Sequence, residues 1–143
     1  MSNTNEIKSI AVDDNGWIWI GTSVGLNVVT NTNDAFTDLE VEQLIVNDID
    51  GKAAYLLGEN SINDICVDGG DRKWFATNDG VVLVESDGQS QVLKFTAENS
   101  PLLANRVVSI GQNTESGEVF FATSKGIVSY QSDAAGKKEL FGK

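Results

Sequence analysis

The chain has 143 residues, enough for one hydrophobic core, and none of its apolar runs approaches the roughly 18 residues that a membrane-spanning helix needs. Its 21 Asp and Glu outnumber 10 Lys and Arg, and the net charge of −11 would repel nucleic acid and anionic membranes, which clustered cations bind. With no His and one Cys, it lacks catalytic Ser–His–Asp or Cys–His pairings and the most common nitrogen ligand of metals, so we predict no enzyme, no metal site and no cofactor.

The first predicted strands are short, rich in Val, Ile, Thr and aromatic residues, and separated by Asn-Gly and Asp-Gly turns. In one of them, Trp17 and Trp19 alternate with isoleucines, so both faces of the strand are apolar. A strand with two apolar faces is typical of the middle of stacked sheets. Four strands are predicted for this first unit, at residues 7–12, 17–22, 26–29 and 35–39.

Two further units of the same kind follow along the chain. Strands of the second are predicted at 62–67, 73–77, 81–85 and 91–95. Those of the third are predicted at 107–112, 119–123 and 127–130, and 137–141 is the segment left to supply a fourth. The sequence thus predicts one segment, 1–143, with units at about 5–40, 60–96 and 105–143 and a longer connecting insertion at about 41–57.

The three units share a repeated motif. An aromatic residue is followed three positions later by Thr, and the Thr three positions later by Gly. Thr22 and Thr77 are 55 residues apart, and Thr77 and Thr123 are 46 apart, close to the roughly 40–50 residues of propeller blade repeats. The aromatic position is occupied by Trp19, Trp74 and Phe120. We therefore predict an all-β chain of about three four-stranded antiparallel blades.

Residues 13–26 follow the pattern Asp-x-x-Gly-x-x-Trp-x-Gly-Thr-x-x-Gly-Leu, which is similar to the repeat of the two-component-regulator propeller family. Residues 95–130 resemble the terminal propeller repeat of surface proteins linked to type IX secretion. The repeats depart from one another in places, since Lys73 stands where the first copy has Ile18, and Ala76 where it has Gly21. The resemblance implies blades of a β-propeller.

The resemblance also implies a location, because the family builds extracytoplasmic sensor halves of hybrid histidine kinases and propellers of secreted or surface proteins of Gram-negative bacteria. We therefore expect a periplasmic, cell-surface or secreted protein, although residues 1–5 have no basic residue and no apolar run behind them, and thus no secretory signal.

Propellers close with roughly four to eight blades, so three blades form an open arc. The arc could be completed to a closed propeller in two ways: by a head-to-tail homodimer with six blades, or by further blades of a longer parent chain.

Two positions of the repeat carry the candidate ligand-binding residues. Ser9, Asp64 and Ser109 share a slot on the predicted innermost strand, where they either line the central channel or join neighbouring blades by hydrogen bonds. Trp17 shares a second slot with Arg72 and a glutamate, so that slot tolerates charge. Trp17 is either an exposed platform for a sugar ring or partner surface, or partly buried against a neighbouring blade.

Other residues are interpreted as structural. Cys66 occupies a slot that Ala and Gly fill in the other copies, which predicts a small core residue. The acidic turns at 13–16 and 48–51 lack the Glu that completes a calcium loop, and we interpret both as hairpin turns. Carboxylates for glycoside hydrolysis could come from several Asp in the turns, whose separation the sequence does not give.

We therefore predict a non-enzymatic β-propeller module that recognises a glycan or a protein partner in a bacterial envelope signalling or surface system. The alternative is a purely structural or assembly segment of a secreted or surface protein, for which Trp17→Ala would affect no binding.

Overall fold

The computed structural model describes residues 6–29, 61–86 and 91–131, together with the backbone of short strands between residues 41 and 55. Throughout these described residues the regular elements are β-strands, in antiparallel sheets, as predicted. In the same ranges there is no helix of the length and apolar character needed to cross a membrane.

Three sheets follow one another along the described chain, and we call them blades 1, 2 and 3. Blade 1 consists of β1 (Ile7–Val12), β2 (Ile18–Thr22), β3 (Gly25–Val29) and β4 (Val41–Glu42). A separate hairpin pairs β5 (Ile45–Asn47) with β6 (Ala53–Tyr55). Blade 2 consists of β7 (Ile62–Val67), β8 (Lys73–Thr77), β9 (Gly80–Val84) and β10 (Gln91–Phe95). Blade 3 consists of β11 (Val107–Asn113), β12 (Glu118–Thr123) and β13 (Gly126–Gln131).

The predicted strands of blade 2 match the observed ones to within one residue. In blade 1, β4 pairs with β3 and lies in the predicted insertion, whereas the strand predicted at 35–39 falls outside the described residues. The predicted fourth strand of blade 3, at 137–141, also falls outside them.

The blades stack through their inner strands, β1 against β7 and β7 against β11. Blade 2 is therefore packed on both faces, and every residue of β8 and β9 is buried. Two core clusters result, one at each blade junction. The first contains Trp19, Leu26, Val28, Ile62, Ile65, Phe75, Val82 and Val84, and the second contains Trp74, Ala76, Val81, Leu83, Leu102, Val107, Ile110, Val119 and Phe121.

The Thr-x-x-Gly motif forms the hairpin between the second and third strands of each blade. The Thr hydroxyl donates a hydrogen bond to the Gly carbonyl, at 2.9 Å from Thr22, 2.9 Å from Thr77 and 3.1 Å from Thr123. The Gly has a positive φ in each hairpin, for example 104° at Gly80, which L-residues rarely adopt.

Gly21 marks a close approach between blades 1 and 2. A Cβ added there would lie 2.7 Å from the Cβ of Ile62 and would also meet the hydroxyl of Ser9. We expect Gly21→Ala to lower the free energy of unfolding by about 1–3 kcal/mol, because the junction must shift to make room. Urea denaturation measures this. Gly111→Ala is the matched control, since a Cβ there meets nothing within 4 Å, and equal losses in the two variants would contradict the close approach.

Candidate functional site

A buried cationic group lies at the junction of blades 1 and 2. The Lys73 side chain is fully buried, and its Nζ lies 3.2 Å from Asp13 Oδ2 and 3.4 Å from Asp71 Oδ2. It also donates to the carbonyls of Asp71 at 2.8 Å and Ser86 at 2.7 Å, and it lies 5.2 Å from the ring centroid of Trp19. Lys73 thus bonds blade 2 to the turn and the core tryptophan of blade 1.

Asp13 is the acceptor at the centre of that turn. Its Oδ1 accepts hydrogen bonds from the backbone N–H groups of Asn15 at 2.9 Å and Trp17 at 3.0 Å, and its Oδ2 accepts from Trp19 Nε1 at 2.9 Å. Burial by itself would raise the pKa of Asp13, but these bonds and the Lys73 ammonium outweigh it and hold the pKa below its ordinary value. Asp13 is therefore a structural carboxylate.

Blade 2 repeats this arrangement with a different cation. Asp68 Oδ1 accepts from the N–H groups of Gly70 and Arg72, both at 2.9 Å, and its Oδ2 accepts from Trp74 Nε1 at 3.1 Å. The cation comes from the same blade, because Arg72 Nε lies 3.3 Å from Asp68 Oδ2. Arg72, predicted to bind ligand, is thus engaged with the turn of its own blade.

In blade 3 the carboxylate and the indole are both replaced. Asn113 occupies the Asp position, and its Oδ1 accepts from the N–H groups of Glu115 at 3.0 Å and Ser116 at 3.3 Å. The aromatic residue is Phe120, which has no N–H to donate, and Val119 takes the slot of Lys73. The turn at 13–16 is confirmed as a hairpin turn, whereas the turn at 48–51 lies outside the described residues.

The slot of Ser9, Asp64 and Ser109 joins neighbouring inner strands. Ser9 Oγ donates to the carbonyl of Ile62 on β7 at 3.3 Å. Asp64 Oδ2 accepts from the N–H of Ile110 on β11 at 2.9 Å and from Ser109 Oγ at 3.3 Å. Of the two alternatives for this slot, the structure forms the hydrogen bonds between blades, and a role in ligand binding stays a prediction.

The five candidate residues do not converge on one site. Ser9 pairs with Gly21 near the end of β2, whereas Trp17 precedes the start of that strand. Gly21 and Trp17 are four residues apart, so at about 3.3 Å per residue the two positions are separated by roughly 13 Å. Trp17 is half-buried and packs on the first core cluster, while Arg72 lies at the corresponding position of blade 2. The structure thus separates the polar slot from Trp17 and Arg72.

Cys66 lies on β7, half-buried against the second core cluster. Burial, followed by the charges of Asp64 and Asp68, raises the pKa of its thiol to about 11. Since the thiolate is the reactive form, we expect iodoacetamide at pH 8 to alkylate the folded chain about 100-fold more slowly than the chain unfolded in urea. Intact mass over time measures both rates, and similar rates would contradict the burial of this thiol.

No group of three or more acidic, Cys or His side chains in the described ranges is placed to hold a metal ion. A cavity of about 80 Å³ lies between the loop after β10 and blade 3, lined mainly by apolar side chains that include Phe95, Leu102 and Tyr130. The hydroxyls of its two serines are engaged, because Ser100 donates to the carbonyl of Thr96 at 2.6 Å and Ser129 donates to a glutamate at 2.8 Å.

The inner strand of blade 1 exposes an apolar surface, which we call the β1 face. It consists of Ile7, Ile10 and Val12, whose side chains are 56%, 64% and 61% exposed. The corresponding residues of β7, Ile62 and Ile65, are 0% and 8% exposed, because they pack against blade 1. β1 and β7 have the same spacing of apolar residues in the sequence. The sequence pattern therefore did not show that the β1 face is exposed.

Comparisons with known proteins agree on the fold. Residues 2–24 match the model of a family described as Two component regulator propeller. The chain is similar to PorZ, described as an essential bacterial surface component of the type-IX secretion system of Porphyromonas gingivalis, with 30% identity and a TM-score of 0.82 over 95% of this chain. It is also similar to an extracellular domain assigned to the hybrid two component system BT4673 of B. thetaiotaomicron, with 20% identity and a TM-score of 0.66 over 97%.

The chain spans about a fifth of these proteins, 19% of PorZ and 17% of the BT4673 domain. No curated protein sequence matches it. The matched structures are β-propellers, and the sheets of this chain are blades of that fold.

Proposed function

We propose that this chain, whose residues 2–24 match the two component regulator propeller family, is a non-enzymatic recognition module of a bacterial surface or extracellular signalling protein, and that it binds a protein rather than a glycan. The observation that carries the proposal is the β1 face, whose three aliphatic side chains are each more than half exposed. Support for the location comes from PorZ, described as a surface component, and from the extracellular domain of BT4673.

An exposed aliphatic surface suits a protein partner. Contiguous apolar patches on soluble proteins mark interaction sites, and burying them contributes most of the free energy of association. The β1 face offers no hydroxyl or carboxylate side chain among its three residues, which a sugar would need for hydrogen bonding.

Glycan binding has weaker support because the polar candidates are already engaged. Ser9 and Asp64 bond neighbouring blades, Arg72 bonds Asp68, and Trp17 is half-buried. The cavity beside Tyr130 is lined mainly by apolar groups, and the hydroxyls of its two serines are also bonded. The assembly alternative shares the β1 face with our proposal, but its partner would be another part of the same protein.

A photo-crosslinking amino acid at position 12 tests the proposal in the bacterium that encodes the chain. We expect a discrete protein adduct, lost when Ile10→Lys is added to the same chain, because a buried lysine opposes apolar contact. The matched control carries the crosslinker at position 24, where Val24 is exposed in the hairpin between β2 and β3.

A glycan panel tests the alternative. We expect no sugar to raise the melting temperature by more than about 1 °C, since only a ligand that binds the folded state stabilises it. A sugar that raises it by several degrees, with the effect abolished by Trp17→Ala, would overturn protein recognition in favour of a glycan site.

A further inference from the structure

We infer that the partner of the β1 face is a second copy of this chain, packed head to tail through blade 3, so that two copies form one closed six-bladed ring. This inference rests on the proposed function, because it names the protein that the β1 face binds. It is argued from the two junctions that the chain itself contains.

Each internal junction joins the same two surfaces. The inner strand of one blade packs its isoleucines or valines against the aromatic residue and aliphatic third strand of the blade before it. At the first junction Ile62 and Ile65 meet Trp19 and Leu26, and at the second Val107 and Ile110 meet Trp74 and Val81. The β1 face is the first half of this junction, with apolar residues in the same positions.

The second half lies at the other end of the described arc. In blade 3 the residues that correspond to Trp19 and Leu26 are Phe120 and Ile127. Phe120 is half-buried and Ile127 is 68% exposed, whereas Leu26 is 2% exposed. The two ends of the arc therefore carry complementary halves of a contact that the chain forms twice within itself.

The charges at the two ends also match. At the first junction Asp13 is neutralised by Lys73 of the following blade. At a junction between blade 3 and a second copy, the corresponding residues would be Asn113 and Ile18, both uncharged. Packing these ends together therefore leaves no unpaired charge at this position of the junction, where a buried charge without its partner would be costly.

The symmetry closes the assembly. A head-to-tail contact forms a ring when its rotation closes, and otherwise an open filament. Two arcs of three blades use the contact twice and give six blades, within the roughly four to eight that propellers contain. Each copy carries a charge of −11, so we expect added salt to strengthen the association by screening repulsion between copies.

Light scattering over a concentration series tests the ring. We expect twice the chain mass, with the population rising in high salt. Ile10→Lys should weaken association about tenfold or more, because it places a charge in the apolar contact. Ile10 is already 64% exposed, so the variant should keep the melting temperature of the isolated chain. Val24→Lys, in the hairpin turn, is the control and should leave the mass unchanged.

A complementary pair checks that the two ends meet each other. Ile127→Glu alone should also weaken association, whereas an equimolar mixture with Ile10→Lys should restore twice the chain mass. In that mixture one junction pairs the introduced Lys and Glu, and the other is wild type in both residues.

Three outcomes would overturn the ring: a single chain mass at all concentrations, an open series of masses above two chains, or an unchanged mass for Ile10→Lys. The crosslink at position 12 separates this failure from that of the proposed function. An adduct with a different protein would overturn the second copy and keep recognition by the β1 face, and no adduct of any kind would overturn both.

Discussion

Replacing Lys73 with Met is expected to lower the free energy of unfolding by about 3–5 kcal/mol. The variant keeps the volume of the side chain but leaves the buried carboxylate of Asp13 without its cation, and an uncompensated buried charge is strongly destabilising. Urea denaturation followed by tryptophan fluorescence measures the loss. Trp19 is a suitable probe because the centroid of its ring lies 5.2 Å from Lys73 Nζ.

The control for this prediction is the double variant Asp13→Asn with Lys73→Met. It copies blade 3, where Asn113 and Val119 occupy the two positions, and it removes both charges. We expect it to recover about half of the loss, because the amide oxygen can still accept the N–H bonds of the turn. A loss below about 1 kcal/mol for Lys73→Met alone would contradict the neutralising role of Lys73.

The same cluster has a pH signature. The pKa of Asp13 is lowered from its ordinary 3.8, so Asp13 contributes stability at pH values above 3.8 and loses it as the pH falls through its pKa in the folded chain. Asp13→Asn should therefore flatten this part of the acid denaturation profile.

Trp74→Ala is expected to cost about 3–5 kcal/mol, through a cavity at the junction of blades 2 and 3. The Trp74 ring is fully buried, with its centroid 5.5 Å from that of Phe121 and 5.8 Å from that of Tyr130. Its Nε1 also donates to Asp68. Because blade 3 packs on this ring, hydrogen exchange should accelerate in β11 and β12 before it does in β1 and β2.

Trp17→Ala is the matched control for this variant, since it removes the same atoms from a half-buried ring. We expect a loss below about 1.5 kcal/mol, because Arg72 and Glu118 occupy the corresponding slots of the other blades. If Trp17→Ala lowered the free energy of unfolding as much as Trp74→Ala, this would contradict the expectation that the burial of each ring sets the loss.

The sequence determined the features of this protein that arise from local chemistry. The three copies of Thr-x-x-Gly, such as Thr77 to Gly80, each form a hairpin, because the hydroxyl bond and the positive φ need only neighbouring residues. Apolar residues on both faces of the central strands likewise indicated stacked sheets, since a strand exposes alternate residues to opposite faces. The blades and their order followed from these two signals.

Tertiary structure decided what the same signals mean in each blade. Lys73 interrupts the apolar pattern of β8, and its partner Asp13 lies in another blade, so the pair is visible only once the blades pack. In the sequence, Ser9 and Asp64 were equally compatible with lining a channel and with joining two blades. The structure shows that each forms a hydrogen bond to the neighbouring inner strand, Ser9 to Ile62 and Asp64 to Ile110. Ile10 and Ile65 share one position of the repeat, yet one is exposed and the other buried, because burial depends on which blade lies alongside and not on the residue itself.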